Sequence, residues 1–217
     1  MSSCCPNPIC TQSTGSFFSK RSRRYARSFK NGKLESIQKF LVEELKKEPL
    51  QGKRLLDIGC GVGKLHLTLL KDGAQSATAI DMSEEMLRHA RDFARKFGVE
   101  QKVTYLQGDF MTVAAALQTA EITLLDKVIC CYEDLEGLIA ASVAATSQRY
   151  ALIFPADNFL TRAIFETEIF IAKIFRFGFR PYWHDWRRVE HLLSNEGFIL
   201  ENSRSQLLWQ AAVYRKK

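Results

Sequence analysis

Leu34, Ile37, Phe40, Leu41 and Leu45 recur at helical spacing through LESIQKFLVEELKK (34–47), which predicts an amphipathic helix. The period then changes. RLLDI (54–58) is a short apolar run of strand length, and a helical pattern follows it from Val62 to about Lys71. SATAID (76–81) reads as a second strand. Ser83 stands where an N-cap is needed, with Glu84 and Glu85 in the first turn, so a helix is predicted to run to about Phe97 and stop at Gly98. KVTYLQGD (102–109), EITLLDKVIC (121–130) and RYALIFP (149–155) complete a set of five strands. Strands separated by helical stretches of ten to fifteen residues or so imply parallel neighbours with helices on both faces. Near the end, the runs at 198–203 and 206–214 have only a short connection between them and must pair antiparallel. The expected fold is therefore α/β, a Rossmann-like doubly wound sheet of seven strands, five parallel and closed by an antiparallel C-terminal hairpin.

Two segments stand outside this alternation. Residues 1–33 hold three cysteines, Cys4, Cys5 and Cys10, and two prolines, and are expected to be an irregular basic leader before a domain at 34–217. Within that domain NFLTRAIFETEIFIAKIFRFGFR (158–180) sets Arg162, Glu166, Lys173, Arg176 and Arg180 on one narrow helical stripe and makes almost everything else apolar. The apolar arc is wider than a surface helix buries. An apolar lid insertion at 158–184 is expected, to be covered by the core, a hydrophobic acceptor, a second copy or a membrane surface.

Charge sharpens the picture. The net charge of +7 comes from Lys20, Arg21, Arg23, Arg24, Arg27, Lys30 and Lys33, because the chain from Glu35 onward balances 24 basic against 24 acidic residues. Basic character confined to one segment argues against a general nucleic-acid binder, and no nucleic-acid partner is expected. Six cysteines, two pairs of them adjacent, make a poor disulfide framework and favour a reducing, cytoplasmic setting, with membrane association as an option through 158–180.

The chemistry gathers around LLDIGCGVGK (55–64). A P-loop would carry Ser or Thr after Gly-Lys, where this chain has Leu65. A dinucleotide turn would be G-x-G-x-x-G, and here the pattern is G-x-G-x-G through Gly59, Gly61 and Gly63. Asp57, directly before the turn, would repel a diphosphate but suits a ligand with an ammonium and a sulfonium. Asp81 at the end of the second strand can accept from both ribose hydroxyls. Gly108-Asp109-Phe110 after the third strand offers an acceptor for an adenine amino group and a ring to stack on it. Three strand ends thus carry carboxylates suited to S-adenosylmethionine (SAM).

Those residues also carry a resemblance. LLDIGCGVGK, ATAIDMSEEMLRHAR (77–91) and VTYLQGDF (103–110) are similar to the SAM-binding motifs of class I SAM-dependent methyltransferases. DKVICCYED (126–134), LIFP (152–155) and the final hairpin resemble small-molecule enzymes near the magnesium-protoporphyrin O-methyltransferases, in a branch with a Cys-Cys leader and RRYAR-like residues. What this implies is methyl transfer to a small, hydrophobic acceptor at oxygen. The cofactor contacts expected from residues and resemblance together are Tyr25, Asp57, Gly59, Cys60, Gly61, Gly63, Asp81, Met82, Gly108, Asp109, Phe110 and Lys127; no metal is expected. His184 is the favoured base or substrate ligand and Tyr132 the second catalytic candidate, with Cys131 and Asp134 near the same mouth. The protoporphyrin-type enzymes show His-Tyr where this chain has Cys131-Tyr132. His66 and His89 are expected on helix surfaces. Two alternatives stay open: a metalloid methyltransferase working through the leader thiolates, and a catalytically silent SAM-binding or membrane-associated partner.

Overall fold

The computed structural model describes residues 8–174, 179 and 181–217. In chain order these form α1 (Pro8–Phe29), α2 (Ser36–Leu45), β1 (Arg54–Ile58), α3 (Lys64–Lys71), β2 (Ser76–Asp81), α4 (Glu84–Lys96), β3 (Val103–Gln107), α5 (Phe110–Val113), β4 (Ala120–Asp126), α6 (Leu135–Ala144), β5 (Thr146–Pro155), α7 (Phe159–Ile174), α8 (Trp186–Asn195), β6 (Phe198–Ser205) and β7 (Trp209–Lys216). The seven strands make one sheet in the order β3-β2-β1-β4-β5-β7-β6. The first five are parallel, and β7 runs antiparallel to both β5 and β6. The expected fold class is therefore the observed one.

Successive strand residues serve two different cores. Ala151 and Ile153 pack with Leu55, Leu124 and the buried faces of α2 and α3, whereas Leu152 and Phe154 pack with Ile58, Leu125 and the apolar residues of α6 and α8. A sheet covered on both faces has no use for polar alternation, and so these strands read as continuous apolar runs. Arg149 crosses from β5 to the end of α2, where its guanidinium donates to the carbonyls of Glu44 and Leu45 at 3.1 and 3.0 Å. It satisfies orphan groups of that helix terminus and adds a cation at its negative end. At α4, Ser83 Oγ accepts from Met86 N as the sequence predicts, and Gly98 (φ +69°) takes the left-handed conformation that ends the helix.

Two expectations need correction. The leader is not irregular over 8–29, which forms α1. Proline is tolerated in a helix's first turn, where its missing N–H has no partner to lose. Packing then secures the helix: Phe29 is wholly buried, Ser19 and Ser83 share a 2.8 Å hydroxyl bond, and Gly15 lies so close that a Cβ there would sit 3.0 Å from the Met82 carbonyl oxygen. The fourth strand stops at Asp126 and not at Cys130, because Lys127 adopts φ +62° and the chain turns into a 3-10 segment at Ile129–Cys131. Cys4, Cys5, Arg176 and Arg180 lie outside the described residues, as do the side chains of Cys10 and Lys173. Among the described residues no helix is long and apolar enough to cross a membrane.

Candidate functional site

A sheet ordered 3-2-1-4-5 reverses its winding between β1 and β4, and a crevice opens beyond the carboxyl ends of those two strands. One cleft occupies that position, with about 950 Å³ of space including its open mouth, and clefts at such switch points are where small-molecule sites are commonly found. The turn after β1 supplies Gly59, Cys60 and Gly61, and the end of β2 with the residue after it supplies Asp81 and Met82. Gly108 and Phe110 follow β3, Lys127, Val128, Cys131 and Tyr132 follow β4, and Thr14, Phe18 and Tyr25 come from α1 across the top. Ten of the twelve residues expected at the cofactor line this cleft; Gly63 and Asp109 do not.

The three turn glycines differ in their jobs. All have positive φ, but a Cβ on Gly59 would lie 2.6 Å from Val128 Cγ2, and one on Gly63 would press on Leu67 and His66. Gly61 would meet nothing within 4 Å, because it faces the cleft. Gly63 therefore serves the start of α3 and its packing, which is why it stands off the cleft. Asp57 is buried, and its Oδ2 lies 2.7 Å from His66 Nδ1. His66 Nε2 lies 3.3 Å from the Tyr105 hydroxyl. His66 is thus no surface residue: it turns inward from α3 because a buried carboxylate under the glycine turn needs a partner. Asp81 accepts from Gly61 N and Ser83 N, both at 2.8 Å. Burial raises its pKa to about 6, partly offset by those two N–H groups. The carboxylate is held rigidly at the strand end, and its remaining lone pairs border the cleft.

Asp109 does not reach the cleft in the way expected. Its Oδ1 accepts from Met111 N at 3.0 Å, capping α5, and from the Tyr132 hydroxyl at 2.8 Å. A carboxylate engaged as a helix cap holds Gly108 and Phe110 against the cleft from behind. Tyr132 lines the cleft, yet burial, followed by the adjacent Asp109 charge, pushes its pKa well up, so its hydroxyl is a donor and not a base. His184 lies elsewhere. It borders a smaller pocket with Tyr182, Trp186 and Phe154, and its Nε2 donates to the Tyr132 carbonyl oxygen at 2.7 Å. Stacking on Tyr182 and the start of α8, capped by Asp185, fix the ring there. His184 supports the turn that carries Tyr132 without facing the cleft. Cys130 and Cys131 both direct Sγ toward the Lys127 carbonyl, and for Cys131 a hydrogen bond with Cys130, then burial, hold the thiol well above its ordinary pKa.

A polar cluster that the sequence reading missed lies beneath Tyr25. Glu35 reaches two ammonium groups, Lys64 Nζ at 3.0 Å and Lys127 Nζ at 2.6 Å. Gln38 accepts from Glu35 N and donates to Asp126 Oδ2 at 2.5 Å. Asp126 Oδ1 is buried and has no hydrogen-bond partner. Burial opposes the charge on Glu35, but Lys127 and then Lys64 outweigh it and keep the carboxyl below its usual range. Burial raises the Asp126 pKa against the pull of Lys127. Two signals for this cluster stood in the sequence: Lys64 directly after the turn, and Asp126-Lys127 at the end of an apolar strand.

The lining fits a cationic nucleoside. Three strand-end carboxylates, Asp57, Asp81 and Asp126, border the space, and the orphaned Asp126 oxygen calls for a donor.

A family model described as a methyltransferase domain matches residues 55–149. Ribosomal protein L11 methyltransferases are among the related sequences: that of Serratia proteamaculans is 31% identical over 121 residues and that of Yersinia pseudotuberculosis 32% over 132. The chain spans 41% and 43% of those two proteins, and half or slightly more of its own length takes part. Magnesium protoporphyrin IX methyltransferase from Synechocystis PCC 6803, solved with bound SAM, superposes with a TM-score of 0.72 at 17% identity, covering all of both chains. A geranyl diphosphate methyltransferase, also with SAM, gives 0.65 at 13% identity over 83% of this chain and 84% of its own.

Proposed function

We propose, on the premise that the chain carries a class I SAM-dependent methyltransferase domain, that it methylates a small apolar molecule at an oxygen that is already ionised when it enters the cleft. When bound, SAM supplies a methyl group activated on sulfur. The protein's part is alignment and exclusion of water. Asp81 is positioned to accept from the ribose hydroxyls and Phe110 to flank the base, while His66 fixes the Asp57 carboxylate under the turn.

The acceptor side carries the reading. Its lining is Phe18, Tyr25, Val128, Cys131 and Tyr132, largely apolar and without an imidazole. Burial, opposed by Lys127, raises the Tyr25 pKa, and Tyr132 and Cys131 are also pushed up. None of them is a ready base near neutral pH. A nucleophile such as a carboxylate or an acidic phenol needs none, and Tyr132 and Tyr25 can orient it.

The described residues of 158–184 form the lid in this reading. Phe179 packs on Phe17 and Phe18 of α1 with ring centroids 4.6 and 5.3 Å apart, and Phe165 meets Trp183 and Trp209. Phe159, Leu160, Phe170, Ile171 and Ile174 remain exposed on α7, which supports contact with a membrane from which an apolar acceptor could be drawn. The test is transfer of a radiolabelled methyl group from SAM to porphyrin carboxylates, acidic phenols, apolar amines and ribosomal protein L11, with vesicle flotation alongside. Labelled ester or ether is expected. Transfer only to amines or to the protein would overturn the oxygen reading, and loss of turnover without loss of flotation on making α7 polar would overturn the membrane role.

A further inference from the structure

The cluster below Tyr25 is asymmetric in a way that identifies a ligand. Lys64 is 8% exposed and Lys127 22%, whereas Glu35, which bridges them, is 46% exposed. Two lysines held in a protein wall keep their places; a half-exposed carboxylate can turn into water, giving up its part in the capping box at the start of α2. Lys127 is held more firmly still. Its backbone takes φ +62°, its N–H donates to the Ile153 carbonyl oxygen at 2.8 Å, and its ammonium sits 4.8 Å above the Trp209 ring. A non-glycine residue kept in the left-handed region is a strained feature that the surroundings must support. Beside this pair stands the buried Asp126 Oδ1 with no hydrogen-bond partner. Its other oxygen is taken by Gln38.

We propose that Lys64, Lys127 and Asp126 form a receptor for an α-amino-acid zwitterion, the methionyl end of the cofactor, and that Glu35 is an internal stand-in for its carboxylate. This rests on the reading of the cleft as a SAM site. The ligand carboxylate replaces that of Glu35 between the two lysines, and the ligand ammonium donates to Asp126 Oδ1. Glu35 swings outward on entry. It thus keeps one buried and one partly buried cation neutralised in the empty protein and competes with the ligand for them.

The sign of the competition is the test. Binding is measured by calorimetry with S-adenosylhomocysteine, which keeps the amino-acid end, and with 5′-methylthioadenosine, which lacks it. Glu35→Gln is expected to tighten S-adenosylhomocysteine by roughly two- to tenfold, the worth of releasing partly exposed ion pairs. Lys127→Asn, which suits the left-handed backbone and removes the charge, is expected to weaken it by about ten- to a hundredfold. Asp126→Asn is expected to weaken it by about tenfold. The affinity of 5′-methylthioadenosine should stay within about twofold of wild type in all three variants, which also reports an intact fold. If Glu35→Gln weakens S-adenosylhomocysteine or leaves it unchanged, or if both ligands shift together, the assignment is wrong while the nucleoside site stands. Wild-type protein that binds 5′-methylthioadenosine as tightly as S-adenosylhomocysteine overturns it as well. Wild-type protein that binds neither ligand overturns this assignment and the SAM reading alike.

Discussion

Gly59 and Gly61 lie two residues apart in the same turn with φ of +65° and +54°, so backbone preference alone would make alanine equally costly at both. Their surroundings separate them. At Gly61 the new methyl group meets nothing within 4 Å, so only the left-handed conformation is penalised, by roughly 1 kcal/mol. At Gly59 the methyl group would arrive 2.6 Å from Val128 Cγ2, which adds overpacking of roughly 1–3 kcal/mol. For a chain of this size about 1 kcal/mol moves Tm by about 2–4 °C. Gly61→Ala should then lower Tm by about 2–4 °C and Gly59→Ala by about 4–16 °C, in thermal unfolding without ligand. Ligand affinity should invert the order of interest: the Gly61 methyl points into the cleft, so that variant should lose S-adenosylhomocysteine binding by about tenfold or more while remaining folded. Equal Tm losses, or a Gly61→Ala protein that binds like wild type, would refute the division of labour in the turn.

Asp81 gives a pH dependence with a fixed sign. Its folded pKa of about 6 lies above that of an unfolded carboxyl group, so the native state binds more protons between roughly pH 4 and 6, and the residue's contribution to stability falls as pH rises through that window. Ribose hydroxyls need the ionised form, so affinity for S-adenosylhomocysteine should be level above about pH 6 and decline below it, approaching tenfold per unit; Asp81→Asn should bind weakly and flatten the curve. His66→Ala would leave Asp57 buried without its partner and should cost about 3–5 kcal/mol by urea unfolding. A loss below about 1 kcal/mol would mean that water satisfies Asp57 instead.

Much of this was legible because backbone demands leave marks in sequence. Strands covered on both faces must be apolar runs, and RLLDI, EITLLD and RYALIFP were; the turn needs left-handed residues, and the glycines announced it. What hid was set by contacts distant in sequence. α1 owes its helix to Phe29, Gly15 and Ser19 meeting α4 and the chain just before it, so an uncharged, proline-containing stretch looked irregular. His66 sits at a helical position that looks like surface until Asp57 is placed beside it. Asp109 follows a strand, yet α5 begins one residue later, and Asp109 Oδ1 caps that helix, a contact that its place after a strand does not announce. Glu35 and Lys127, 92 residues apart, show no pattern that joins them.

The two sides of the cleft differ for the same reason. The cofactor side is made by strand ends and one tight turn, whose positions the parallel sheet dictates; a carboxylate at the end of β1, β2 or β4 arrives there whatever the helices do. The opposite side is lined by α1 and by the turn after β4, and α1 meets Phe179 only through the side chains of Phe17 and Phe18. Sequence periodicity reports an element's buried face, not the neighbour that buries it. Displacing α1 would therefore remove Thr14, Phe18 and Tyr25 from the cleft at one stroke, while the glycine turn and Asp81, held by β1 and β2, would keep their places.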